Sequence, residues 1–182
     1  MEVFEAVRTV LAVRRYGTKP VPAEIVRRIV EAGRLSASSI NLQPWHFVVV
    51  EERATLRKIG EIMHTGGYTA AASFAIVVLI EKDSPYGISD ASRAIQNMIL
   101  VAWAERIGSN WTGFGPMPAI EKLVAAPKTH EGLAIVPFGY PAAKLGAEWN
   151  CGCTATGTSF HAMSLSPCNA HGGADLKQAA NG

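Results

Sequence analysis

Phe74-Ala75-Ile76-Val77-Val78-Leu79-Ile80 is an unbroken apolar run, and it constrains the fold more than any other segment. A run so short and so rich in β-branched residues reads as a strand, and the lack of polar alternation requires cover on both of its faces. Residues 46–50 read the same way, and Leu133-Ala134-Ile135-Val136 reads as a last core strand running out at Gly139-Tyr140-Pro141. Helical spacing lies between the runs. Val3, Phe4, Val7, Val10 and Leu11 predict an amphipathic helix over residues 2 to about 12. Pro22 opens a second, with Ile25, Ile29 and Val30 inward, and a third joins the strands over about 52–63. Ser89 or Asp90 is placed to cap a long helix reaching about Arg106 and ended by Gly108. Its many apolar positions predict burial on most sides, at the centre of the domain or in a dimer interface, with Asn97 as a satisfied buried amide. Ile120, Leu123 and Val124 mark a short helix stopped by Pro127. Interleaved helices and apolar strands predict an α+β sheet sandwich.

At 182 residues, 48% hydrophobic and 18% charged, the chain is long enough for one well-buried core and short for two. A net charge of +2 offers no reason to expect nucleic acid or an anionic membrane as partner. No run approaches the roughly 20 apolar residues of a membrane helix. Glu2, Glu5 and Arg8 interrupt the early apolar stretch where a signal peptide would lie, so a cytoplasmic protein is expected. The 3 cysteines, Cys151, Cys153 and Cys168, all lie beyond residue 146. The body therefore folds without them, which suits a reducing compartment.

Chemistry-bearing residues concentrate in Ser38-Ser39-Ile40-Asn41-Leu42-Gln43-Pro44-Trp45, just before a strand. Small hydroxyls allow close approach, the amides of Asn41 and Gln43 can read the edge of a flat polar ligand, and Pro44 fixes the backbone. Taken alone, the segment is also compatible with an ordinary turn anchored by Trp45. Further motifs follow the same order as in a known family: Val13-Arg14-Arg15-Tyr16, Arg93-Ala94-Ile95-Gln96-Asn97-Met98, Gly108-Ser109-Asn110-Trp111-Thr112-Gly113-Phe114 and Pro137-Phe138-Gly139-Tyr140-Pro141. Over residues 1–146 the chain resembles the FMN-dependent nitroreductases, with Ala37 in place of the proline that usually leads the loop.

The resemblance implies a nitroreductase-like fold with a central mixed sheet flanked by helices, in an intertwined homodimer with FMN at the subunit interface. It implies NAD(P)H as co-substrate and a small electron-poor acceptor such as a nitroaromatic, quinone or enone. Carried over by position, Arg14, with its neighbour Arg15, lies near the flavin N1 and O2, where a guanidinium favours the reduced anion. Ser38, Ser39 and Asn41, and more weakly Gln43, contact the ring and ribityl chain. Thr112 and Gly113 bring a backbone N–H to N5, and Trp111 packs either on the ring edge or in the core. No side chain is required as an acid or base. No dinucleotide-binding glycine fingerprint is present, so a nicotinamide would visit the flavin face.

The chain departs from the family at two places. Val10-Leu11-Ala12 replaces the polar trio that offers phosphate its side-chain donors. The tail 147–182, rich in Gly, Ala, Ser and Thr, lacks the family's basic stretch and partner-wrapping arm. The tail is expected to be irregular or disordered, and its deletion to change FMN affinity little. The cysteines with His161 and His171 are too irregularly spaced for a zinc site to be expected. The departures motivate an alternative function, a non-catalytic flavin-binding or interaction paralogue with a weakened phosphate site.

Overall fold

Residue-by-residue alternation explains why Phe74–Ile80 has no polar positions. In the computed structural model, which describes residues 1–143, the run belongs to β2 (Phe74–Glu81). Phe74, Ile76, Val78 and Ile80 enter one core with α2 (Ala23–Arg34) and α4 (Gly87–Ala104). Ala75, Val77 and Leu79 enter a second core with α3 (Arg53–Ile62) and α5 (Pro118–Leu123). Fully burying each large apolar side chain contributes about 1.5–3 kcal/mol, so β2 is an anchor of both layers.

The sheet runs β1-β2-β4-β3, with β1 at Trp45–Val50, β3 at Gly108–Ser109 and β4 at His130–Gly139. α1 covers Val3–Thr9, and single-turn 3-10 segments occupy Ser39–Asn41 and Gly67–Ala71. Among the described residues every strand pairing is antiparallel, where a mixed sheet was expected; the parallel contact there is the isolated bridge Ala12↔Ser109. The cause lies in the connections. α3 and the Gly67–Ala71 turn return the chain to the end of the sheet where β1 finished, so Ala75 pairs with Val50 and β2 runs back along β1.

Five further expectations are corrected. β1 is an edge strand with His46 and Val49 exposed, not a strand covered on both faces. Neither Ser89 nor Asp90 caps α4, which begins after Tyr86; Asp90 lies a turn inside, wholly buried. α4 ends with Arg106 in the left-handed conformation (φ 65°), and Gly108 has instead entered β3. Finally, α4 buries one stripe and leaves Gln96 and Asn97 exposed. α1 also ends earlier than its apolar spacing predicted, and leaves Val3, Phe4 and Val7 more than half exposed. The tail, with its cysteines and the boundary proposed at residue 146, lies outside the described residues.

Candidate functional site

The Ser38–Trp45 loop is built around left-handed backbone. Ile40, Asn41 and Gln43 have φ of 48°, 59° and 52°, a conformation costing on the order of 1–2 kcal/mol for each non-glycine residue. Such strain persists where surroundings over-determine it, and it collects at ligand-binding positions. Here the Ser38 hydroxyl accepts the Gln43 N–H at 2.9 Å, and the Gln43 side-chain amide donates to Asn41 Oδ1 at 2.9 Å. Both amides remain exposed. Below the loop, Asp90 Oδ2 accepts the Ser39 N–H at 2.8 Å and Oδ1 accepts the Ser39 hydroxyl at 3.2 Å. Burial alone pushes the Asp90 carboxyl up, but both Ser39 donors and the paired Arg93 guanidinium outweigh it and hold the group below the usual carboxylate value.

Arg14 and Arg15 are presented by a different device. Their neighbours Val13 and Tyr16 are buried, so the pair between them is turned to solvent. The Val13 N–H donates to Ser109 O at 2.8 Å, and the Tyr16 hydroxyl donates to Val13 O at 2.8 Å and lies 3.2 Å from Pro137 O. Burial raises the Tyr16 phenol well above its ordinary value, so it stays a neutral donor. Among the described residues neither arginine forms an ion pair.

β3 continues into Trp111–Gly113. The Thr112 backbone exchanges hydrogen bonds with Ile135, and the Trp111 indole N–H donates to Gly113 O at 2.8 Å. Trp111 is half-buried against the larger core, which supports the packing alternative for it. Gly113 has φ 73°, and a Cβ there would lie 2.7 Å from Met117 Sδ and 3.0 Å from Met63 Cε. Only glycine fits. The Thr112 hydroxyl is buried and finds no hydrogen-bond partner among the described residues.

The predicted site residues form two groups in one chain. The Ser39 loop is fastened to Asp90 in the first turn of α4, while α1 reaches the last turn, where the Trp103 indole donates to Thr9 Oγ1 at 2.9 Å. From Asp90 to Trp103 the helix rises about 20 Å. The sheet provides an independent measure. Pro44 O accepts the Glu81 N–H at the end where Glu81 pairs with His130, whereas Val13 meets Ser109 where Ser109 pairs with Phe138. That stretch of β4 covers about 26 Å. Arg14 and Arg15 therefore lie on the order of 20 Å from Ser38, Ser39, Asn41 and Gln43, with Thr112 and Gly113 between them along β4.

Asp90 is the residue that sequence reasoning misplaced. Its signal was present: it stands in register with the buried stripe of Ala94, Met98 and Ala102, where an acidic side chain needs an internal partner. Asn97 was expected to be buried, but it is exposed and donates to Ser36 Oγ at 2.7 Å. Among the described residues no group of three or more His, Cys, Asp or Glu side chains could hold a metal ion, and no helix is long and apolar enough to cross a membrane.

An antiparallel sheet between two helical layers, with a strained hydroxyl- and amide-bearing loop at one end and solvent-facing arginines at the other, defines an α+β sandwich. The profile of the nitroreductase family matches residues 8–81 and 69–140. A candidate NADH dehydrogenase/NAD(P)H nitroreductase of Methanothermobacter thermautotrophicus is 34% identical over 156 residues, 81% of this chain and 82% of that protein. A protein of the same description from Archaeoglobus fulgidus is 34% identical over 149 residues, 77% of this chain and 86% of the other. The crystal structure of another such protein, from Parabacteroides distasonis, superposes with a TM-score of 0.74 at 30% identity, covering 79% of this chain and 89% of that one. An FMN-dependent nitroreductase of Clostridium difficile shares the fold, with a TM-score of 0.74 at 23% identity over 78% of this chain and 89% of its own. The chain belongs to the nitroreductase family and is an oxidoreductase of that family, as the motifs in its sequence implied.

Proposed function

We propose that the protein is a cytoplasmic FMN-dependent oxidoreductase that passes electrons from NAD(P)H to a small electron-poor acceptor, a nitroaromatic, quinone or enone. It works as a homodimer whose flavin lies between the two copies. The observation that carries the dimeric site is the separation of about 20 Å between Arg14 and the Ser38–Gln43 loop. One isoalloxazine ring cannot reach both groups in one chain. A second copy related by a two-fold axis would bring the arginine of one chain to the loop of the other. The exposed apolar side chains of α1, Val3, Phe4 and Val7, supply surface that such a partner would cover.

The residues present suit the ring end of FMN. Ser38, Asn41 and Gln43 offer hydroxyl and amide groups to its polar edge, Arg14 offers a fixed positive charge, and Gly113 offers a backbone uncluttered by a side chain. When bound, FMN supplies the hydride-accepting and electron-donating centre. The chain's own work is to orient the ring, to stabilise negative charge through Arg14 and to leave one face open for nicotinamide and acceptor in turn.

The phosphate end has weaker support, because Val10-Leu11-Ala12 carries no polar side chain and Arg8 is engaged by Glu5 at 2.6 Å. That pairing motivates the second reading, a flavin-binding paralogue with a weakened phosphate site. Purified protein with flavin absorbance that bleaches under NAD(P)H supports the enzyme. A colourless preparation that stays inactive with added FMN overturns it. Submicromolar FMN affinity of the apo-protein would exclude a lost site.

A further inference from the structure

α4 holds the segment leading into the strained loop at two points. Asp90, wholly buried, takes both the N–H and the hydroxyl of Ser39 on its two carboxylate oxygens. Two turns further along, Asn97 donates to Ser36 Oγ at 2.7 Å, and the Ser36 hydroxyl donates to Ala32 O at 3.0 Å. The segment runs antiparallel to the helix. From Asp90 to Asn97 the helix rises about 10.5 Å, and three extended residues from Ser36 to Ser39 span at most about 10–11 Å. The two spans match, and Ser38 is extended (φ −129°, ψ 157°). The segment is thus held at both ends along α4, and the left-handed residues Ile40, Asn41 and Gln43 begin immediately past the second anchor.

We infer that Asp90 is a positioning residue: with Asn97 it clamps Ser36–Ser39 along α4 and so imposes the loop conformation that presents Ser38, Asn41 and Gln43 to flavin. The inference rests on the reading of this loop as a flavin contact. Arg93 does not explain the carboxylate by itself, because its side chain is half exposed and can turn to water, whereas among the described residues the Ser39 N–H finds its partner in Asp90. Asp90 acts through Ser39 and, being buried, touches no ligand itself.

Asp90→Asn preserves shape but turns one of the two acceptor oxygens into a donor and removes the charge that strengthens both hydrogen bonds from Ser39. Amide hydrogen exchange by NMR on the apo-protein should then quicken at Ser39 and Gln43 by tenfold or more, with the β2 amides unchanged. FMN titration should show a tenfold or greater loss of affinity, and Asp90→Asn with Ser39→Ala should be non-additive in that affinity. Unchanged exchange at Ser39 overturns the clamp. Faster exchange with wild-type FMN affinity, or additive losses, overturns its role in positioning the loop for flavin. Wild-type protein that binds no FMN overturns the flavin reading and this role with it, while the exchange data still judge the clamp. Should Asp90→Asn fail to fold, Asn97→Ala at its exposed position removes the other anchor. It must quicken exchange at Ser39 and weaken FMN binding by a smaller factor, and wild-type values for both overturn the inference.

Discussion

A Cβ built on Gly108 would lie 2.4 Å from Cγ2 of Val13, so the side chain of Val13 occupies the space that any other residue at position 108 would need. This contact closes β3 against the segment that carries Arg14 and Arg15. Gly108→Ala should overpack the site and destabilise the fold by about 1–3 kcal/mol, seen as a fall of roughly 2–12 °C in the melting temperature. Val13→Ala in the same chain should recover part of the loss. An unchanged melting temperature for Gly108→Ala would show that the two segments separate without strain.

Arg14→Ala should leave stability nearly untouched, because the side chain is exposed and forms no ion pair among the described residues. Surface changes of this kind stay within about 0.5 kcal/mol. The rate of flavin reduction should fall by an amount equivalent to about 1–3 kcal/mol, the worth of one charged contact to the developing anion. Stopped-flow reduction at full FMN occupancy checks this, and equal rates in variant and wild type would remove Arg14 from the chemistry.

Mixed dimers test the proposal of a site shared between two copies. Co-expression of an Arg14→Ala chain with a chain carrying Ser38→Ala, Ser39→Ala and Asn41→Ala should yield heterodimers with one intact and one doubly damaged site. These should recover about half of the wild-type reductase activity if a two-fold axis pairs each arginine with the partner's loop. No recovery, with heterodimer confirmed by differential tagging, would overturn the pairing of each arginine with the partner's loop.

Asp90 should make stability depend on pH in the acid range. Its folded carboxyl lies below the unfolded value of about 3.9, held there by Ser39 and Arg93 against the opposing push of burial. The folded state thus binds fewer protons, so the contribution is complete above about pH 4 and is lost as pH falls further. Glu5 and Glu31 shift in the same direction through Arg8 and Arg34, but those pairs are solvent-exposed and screened by salt. Acid unfolding at high ionic strength should therefore be less steep in Asp90→Asn than in wild type. Identical profiles would show that the buried carboxylate is not what titrates.

Local pattern determined much of this protein. The apolar run at 74–80 defined a doubly covered strand, Pro22 marked where α2 begins, and the order of short motifs identified the family, because each depends on residues close together in the chain. The tertiary structure decided what depends on distant partners. Strand directions follow from the path between strands, so an apolar run cannot declare them, and the strands of the described residues pair antiparallel where a mixed sheet was expected. Gly108 suits a helix end by its chemistry, yet Val13 claims the space beside it and Arg106 takes the left-handed turn instead. Asp90 resembles a cap in the sequence, but burial obliges its carboxylate to find internal donors, and Ser39 supplies them across the fold. The candidate flavin residues follow one another in the sequence as if in one site. The length of α4 holds them at opposite ends of a single chain, a separation that no local spacing encodes.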